Sequence, residues 1–350
     1  MSSVKYTRLF SEAGHQSIEI CQPGSPIEKA LTEAHLESRT VSARNYISPP
    51  TTFFIRRQIE ERRVNALFLH AMKDIWLAAP ALWNQPQVKL FGFARMFLRG
   101  VNKNDFLHRR LYGRLNKMIA LSHEQKRLLL DCLPVPEDKY VVIPNGVDVD
   151  RFQPRHRRDD IRASWGVGPT DFLFGLIGRL DRQKGSLEFV EAAAEVTKQF
   201  PQARFVMVGG NTLGEEQFDS LIRARLHELK LTQKVTLTDF RKDIPDVMNA
   251  LDTFVMPSYE ENFANVMLEA LASGVPCIGT NSGGTPEILS FGKAGLLCEP
   301  RSSESLAASM AELLKEASLA EKLKFAARQK ALTEYDIRVV FKKVEELALN

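Results

Sequence analysis

From Phe172 to Leu297 the chain repeats one pattern, an apolar run of a few residues, a break rich in glycine, proline or charge, and a stretch of helical periodicity. No other feature constrains the fold as strongly. Continuous apolar runs are strands buried on both faces, and successive parallel strands need a crossover helix between them. The runs predict strands at Phe172–Ile177, Arg204–Val208, Lys234–Thr238, Thr253–Met256, Cys277–Thr280 and Gly295–Leu297. Helices are predicted at Ser186–Phe200, Gly214–Leu229, Ile244–Ala250, Asn265–Ser273 (with Gly274 after its end) and Thr285–Ser290. The expectation is an α/β, doubly wound parallel sheet, whose ligands bind outside the carboxyl ends of the strands.

At 350 residues the chain is long enough for two cores. The first half is less regular. It suggests the ends of helix-to-strand passages at Gly14–Ile20 and Val64–His70, strands at Lys89–Phe93, Met118–Ser122 and Lys139–Ile143, and helices at Phe106–Lys117 and from Ser122 to Asp131. The turn cluster Pro144-Asn145-Gly146-Val147-Asp148 and the charged stretch Arg151–Asp160 read as a linker, which places the domains at 1–150 and 151–330. Tyr335–Leu349 is a further helical pattern, in a terminal segment 331–350.

Composition, 44% hydrophobic and 26% charged, is that of an ordinary globular protein. Cys21, Cys132, Cys277 and Cys298 form neither a CxxC pair nor an extracellular disulfide framework, and the start of the chain carries no secretory signal, so a reduced, cytoplasmic setting is expected. The net charge of +4 is uneven, with 21 Lys and Arg against 15 Asp and Glu in residues 1–150 and a small acidic excess beyond. Ten of those basic residues lie between Lys89 and Arg127, among only two acidic ones. That stretch is either a solvated helix face or a surface for an anionic acceptor or lipid, with Arg95, Arg99 and Lys103 as candidate acceptor contacts. Nucleic acid is disfavoured, since no binding motif accompanies the modest charge.

Within the alternating half, Pro257–Pro276 sets Glu261 before a helix start and Glu269 about two turns further on. Ionised carboxylates only accept hydrogen bonds, which suits the hydroxyls of a ribose or hexose. The backbone N–H groups of Asn262, Phe263, Ala264 and Asn265 open the helix and favour an anion. Cations come from Gly178-Arg179-Leu180-Asp181-Arg182-Gln183-Lys184-Gly185, directly after the first strand of this half. Asp148-Val149-Asp150 has a metal-binding D-x-D spacing but lies in the turn cluster, and the seven histidines show no paired-ligand spacing, so no metal and no cofactor are expected.

The segments IPNGVDVDRF, GRLDRQKG, FVMVGG, VTLTDF, VMPSYEENFANVMLEALASGVP and NSGGTPE, in this order, resemble the donor domain of family 4 retaining glycosyltransferases of the GT-B fold. The similarity is close from about Val141 to Pro300 and looser earlier, through AGHQSIEIC, LFLHAMKDIWL and RLNKMIALS. It implies two Rossmann-like domains, an acceptor-binding first and a nucleotide-sugar-binding second, with the terminal helix returning to the first. It also implies that Arg179 and Lys184 hold the donor diphosphate, Glu269 the ribose and Glu261 the transferred sugar. His70 would stand near the anomeric centre and the Arg241 loop near the base. The resemblance implies transfer of a sugar from a UDP- or GDP-sugar to a glycan or lipid-linked hydroxyl acceptor in envelope polysaccharide, lipopolysaccharide or glycolipid synthesis. The setting would be cytoplasmic, and peripheral contact with an anionic membrane is expected from the basic stretch. The second motif departs from the common E-G-F-G, reading Glu261-Asn262-Phe263-Ala264. The family also opens with a strand and a Gly-rich loop, whereas the first glycine here is Gly14; the expectation is a first domain lacking both, through an internal start. A sugar-nucleotide epimerase and a silent nucleotide-sugar-binding partner protein are the alternatives.

Overall fold

The computed structural model describes residues 2–42, 46–95, 102–210 and 216–349. The chain divides into two compact units, Met1–Pro144 with Phe341–Asn350, and Asn145–Val340. Among the described residues no helix is long and apolar enough to cross a membrane.

The first unit holds β1 (Glu19–Cys21) paired in parallel with β2 (Ser38–Thr40), and a parallel sheet of β3 (Ala66–Leu69), β4 (Lys89–Phe93), β5 (Lys117–Ala120) and β6 (Tyr140–Val142) in that order. Its core joins Leu69, Leu90, Met118 and Ala120 of the sheet to Ile55 and Ile59 of the helix Pro49–Arg62, and to Ile75 and Leu77 of the next. The predicted helix Phe106–Lys117 ends at Tyr112 instead. Asn116 accepts the Leu90 N–H through Oδ1 at 2.8 Å, and Lys117 already pairs with Phe91, so sheet pairing overrides the helical periodicity after Gly113. The terminal helix Ile337–Leu349 contributes its later residues to this unit, where Phe341 meets Phe10 edge-on at 5.0 Å and His15 bonds Glu345 at 2.7 Å.

The second unit is a six-stranded parallel sheet of β7 (Phe172–Ile177), β8 (Ala203–Val208), β9 (Val235–Thr238), β10 (Thr253–Met256), β11 (Cys277–Thr280) and β12 (Leu296–Cys298), ordered β12-β11-β10-β7-β8-β9. The central strands are buried on both sides, Thr253–Met256 and Cys277–Thr280 at every residue. Phe189, Val190, Ala193 and Val196 of the helix Ser186–Gln199 form one apolar stripe, and Leu306, Met310 and Leu313 of Ser303–Lys315 pack in the same core. Each of the buried Phe, Val, Leu and Met side chains contributes about 1.5–3 kcal/mol. The chain runs outward through β7, β8 and β9, then crosses back to lay β10 beside β7 on its other side. That reversal places the loops after β7 and β10 next to each other at the carboxyl edge.

Residues 151–160, read from sequence as a linker, belong to the second unit. Phe152 is buried, Arg155 donates its backbone N–H to Asn249 Oδ1 at 2.7 Å, and Arg158 pairs with Asp246 at 2.7 Å. Asp148 and Asp150 are spoken for by protein groups. Asp148 Oδ1 accepts the N–H groups of Asp150 and Arg151, and Asp150 pairs with Arg338 at 3.1 Å.

Candidate functional site

At the reversal point the loop after β7 folds through Gly178 into a single turn, Arg182–Lys184, whose start is capped by Asp181 accepting the Lys184 N–H at 2.9 Å. Gly185 follows at φ +69°, and a Cβ there would lie 2.1 Å from the Pro257 carbonyl oxygen. Only glycine permits both the left-handed backbone and this approach. The contact locks the loop to the one after β10, a junction continued by the Tyr259 N–H donating to Gln183 O at 2.8 Å. As a result Lys184 Nζ forms an ion pair with Glu261, the two side chains retaining 28% and 18% of their exposure.

A third loop, after β11, braces the acidic one from the opposite side. Gly283, at φ +58°, would carry a Cβ 2.2 Å from the Glu261 carbonyl oxygen, and Gly284 one 2.0 Å from that of Asn262. The Gly284 N–H donates to Glu261 O at 2.8 Å, and Thr280 Oγ1 to Ser258 O at 2.6 Å. Sequence reading quoted this glycine pair but assigned it no task. It also missed Tyr259 and Glu188, whose hydrogen bond at 2.7 Å ties the acidic loop to the helix Ser186–Gln199. Burial, then that bond to Glu188, pushes the Tyr259 hydroxyl up to about 12, so it remains a donor.

Glu269 stands half-buried in the helix Asn265–Ala272, the helix that Glu261 precedes. The helix has Ala264 at its cap position, which offers no side-chain oxygen to the first N–H groups, and a helix start of this kind favours an anion. Phe263 is buried edge-on against Tyr335 at 5.6 Å, which fixes the chain entering the helix, while Asn265 is exposed. Buried oxygens without a hydrogen-bond partner gather on these same segments, among them Glu188 Oε2, Ser258 Oγ, Asn262 Oδ1 and Thr285 Oγ1. Such groups are costly unless something polar satisfies them.

The remaining predicted residues fall in three places. Arg179 extends from the basic loop with 63% of its side chain exposed, its guanidinium 3.6 Å from Asp181. Arg241 lies beyond β9, two strands from β7, held by Asp243 (Nε to Oδ1 2.9 Å) over the Trp165 ring at 5.7 Å. His70 and Arg95 come together in the first unit, after the neighbouring strands β3 and β4. Arg95 Nη2 lies 3.2 Å from His70 Nδ1, so the guanidinium expected to face an acceptor is engaged with the histidine. Lys103 is tied through its backbone N–H to Cys132 O at 3.0 Å, and Arg99 lies outside the described residues. Among the described residues no cluster of His, Cys, Asp and Glu has the arrangement to hold a metal ion.

Two parallel α/β units, one with a cationic and an acidic loop locked together at the strand reversal, define the GT-B class of architecture, and solved structures agree. A glycosyltransferase from Rickettsia africae superposes with a TM-score of 0.88 over 99% of this chain and 93% of that one, at 22% identity. HepE of Anabaena, solved in complex with UDP, gives 0.83 over 94% and 98%, at 20% identity. The sequence narrows the class to a family. Residues 5–151 match the Glycosyltransferase Family 4 model and residues 157–330 that of Glycosyl transferases group 1; the chain belongs to this family. It is 34% identical over 171 residues to the Escherichia coli UDP-Gal:alpha-D-GlcNAc-diphosphoundecaprenol alpha-1,3-galactosyltransferase, covering 48% of this chain and 43% of the relative. It is 29% identical over 224 residues to the lipopolysaccharide core mannosyltransferase LpsB of Rhizobium meliloti, covering 62% of each. The chain spans about half the length of the curated relatives it matches.

Proposed function

We propose that this protein transfers a sugar from a nucleoside-diphosphate sugar to a hydroxyl of an envelope glycan or lipid-linked acceptor, with retention at the anomeric carbon and without a metal. The observation that carries this reading is the Lys184–Glu261 pair at the β7/β10 reversal, beside a helix start that no side chain caps. The bond from the anomeric carbon to the diphosphate breaks with its electron pair leaving on the diphosphate. The bond to the acceptor oxygen forms as that hydroxyl gives up its proton to an oxygen of the departing diphosphate. Arg179, Lys184 and the N–H groups opening Asn265–Ala272 hold the charge that develops on the leaving group. Glu269 accepts from the ribose, Glu261 from the transferred sugar, and the Arg241 loop borders the base. His70 donates to the sugar. Thermal stabilisation against a panel of nucleotide sugars tests the reading, since a ligand at 100 times its dissociation constant adds about 2.7 kcal/mol. A panel without any shift, with transfer absent as well, would refute it.

The acceptor class rests on the diphosphoundecaprenol and lipopolysaccharide named for the two relatives, and on charge. Arg109, Arg110 and Arg114 line one pocket with Trp83, which is 54% exposed beneath the Arg110 guanidinium. Arg114 donates to Gln85 O and Val88 O ahead of β4, Lys139 to Gly113 O, and Lys117 opens β5. These cations therefore collect at the amino edge of the first unit's sheet, whereas His70 follows a strand at the carboxyl edge. None of the three arginines has an ion-pair partner among the described residues. Such a face suits the phosphates of an anionic bilayer on the cytoplasmic side, with an indole at the interface. Co-sedimentation with anionic vesicles, lost as salt rises past about 0.5 M, is expected; equal binding to neutral vesicles would exclude it.

A further inference from the structure

We infer that Arg95 is a positioning residue that fixes His70 as the tautomer bearing its hydrogen on Nε2, so that the ring presents a neutral N–H donor. The inference deepens the proposal that His70 donates to the sugar, and rests on it for its bearing on the reaction. The direction of the hydrogen bond between Arg95 Nη2 and His70 Nδ1, 3.2 Å apart, is settled by chemistry. A guanidinium has five donors and no acceptor, so Nδ1 must accept and cannot carry a proton. A neutral imidazole then has its single hydrogen on Nε2.

The surroundings hold the ring in this state. His70 stacks on Phe93 at 4.9 Å with 12° between the planes, and Tyr6 closes in at 5.9 Å. The Arg95 guanidinium lies over the same Phe93 ring at 4.6 Å, so one aromatic face orients both partners. Protonating His70 would set two cations in hydrogen-bond contact, and among the described residues no carboxylate pairs with it. Among the described residues, Arg95, on the segment after β4, and Tyr6, on the helix Ser2–Glu12, are the titratable groups packed against the ring. Burial holds Tyr6 above the ordinary phenol range. Burial first, and Arg95 second, push His70 down to about 3. The ring's one described hydrogen bond is at Nδ1, which leaves Nε2 to meet substrate. His70 is therefore a fixed donor across the neutral range and not a general base, which would need a free ring nitrogen.

Nitrogen NMR of histidine-labelled protein tests this, the His70 signals being assigned by their loss in His70→Gln. The wild type is expected to show an unprotonated Nδ1 and a protonated Nε2, unchanged from pH 8 to pH 5. Arg95→Met should yield mixed tautomers and a His70 titration above that of the wild type but still below its ordinary value, since burial, the larger cause, remains. Turnover should drop by up to about 10²-fold, with a smaller change in KM. Arg95→Lys, which keeps a cationic donor, should restore part of the Nε2–H population. A protonated Nδ1 in the wild type, which requires no variant to fold, overturns the proposal, as does an unaltered tautomer in folded Arg95→Met. Full transfer activity in His70→Gln would instead overturn the substrate-facing role of His70, and the tautomer measurement separates the two failures.

Discussion

Replacing Glu261 with Gln should move nucleotide binding and catalysis in opposite directions. The Glu261 carboxylate holds Lys184. If Lys184 serves the diphosphate, Glu261 acts on that ligand twice, by competing for the ammonium and by repelling the phosphates. A full charge about 8 Å from a phosphate contributes about 2 kcal/mol at an effective dielectric of about 20. Partial exposure of both side chains, 18% for Glu261 and 28% for Lys184, brings this to about 1–2 kcal/mol after screening. Glu261→Gln should therefore bind plain UDP or GDP, whichever the protein uses, about 5- to 30-fold more tightly. The isosteric amide keeps the loop's backbone contacts to Gly284 and Gly185, so folding should be little changed. Transfer should fall, because the amide forms weaker hydrogen bonds to sugar hydroxyls than the carboxylate. Calorimetric titration with the nucleotide diphosphate, alongside a transfer assay, reads both signs. Nucleotide affinity that is unchanged or weaker in a well-folded Glu261→Gln would refute the competition argument, and with it the assignment of Lys184 to the phosphates.

Gly283→Ala places a Cβ against the Glu261 carbonyl oxygen in a left-handed backbone, and should cost about 1–3 kcal/mol of stability together with donor affinity, read by thermal melting and calorimetry. Arg162 is 1% exposed and donates to Asp252, Ala250 O and Asp171 O; Arg162→Met should cost about 2–4 kcal/mol by leaving the two carbonyls without their donor and unpairing the part-exposed Asp252, a melting shift of about 5–10 °C, without changing which nucleotide binds. Transfer should survive excess EDTA, since fixed cations and helix N–H groups neutralise the leaving diphosphate in the proposed reaction; loss in EDTA with recovery on adding manganese would count against that scheme.

The strands of the second unit were legible in the sequence where burial on both faces made them continuous apolar runs between breakers. β7, β10 and β11 have the limits those runs predict. In the first unit the same rules joined Phe106–Tyr112 to residues that the sheet claims, because helical periodicity in a short window carries no information about a strand partner 26 residues earlier. The site divides along the same line. Its residue types could be read locally, as a basic loop after one strand and two carboxylates around a helix start. Which groups meet could not, since the Lys184–Glu261 pair spans 77 positions and exists because β10 crosses back beside β7. Arg95 shows the cost of reading charge without topology. As one of ten basic residues it suggested an anion contact, yet β3 and β4 are neighbours, and their carboxyl ends put its guanidinium on His70. The basic stretch is thus at least two structures, one residue that sets the state of a ring at the carboxyl edge and a cluster at the amino edge. Arg95→Met should then change His70 and leave vesicle binding intact, while Arg110→Gln should do the reverse.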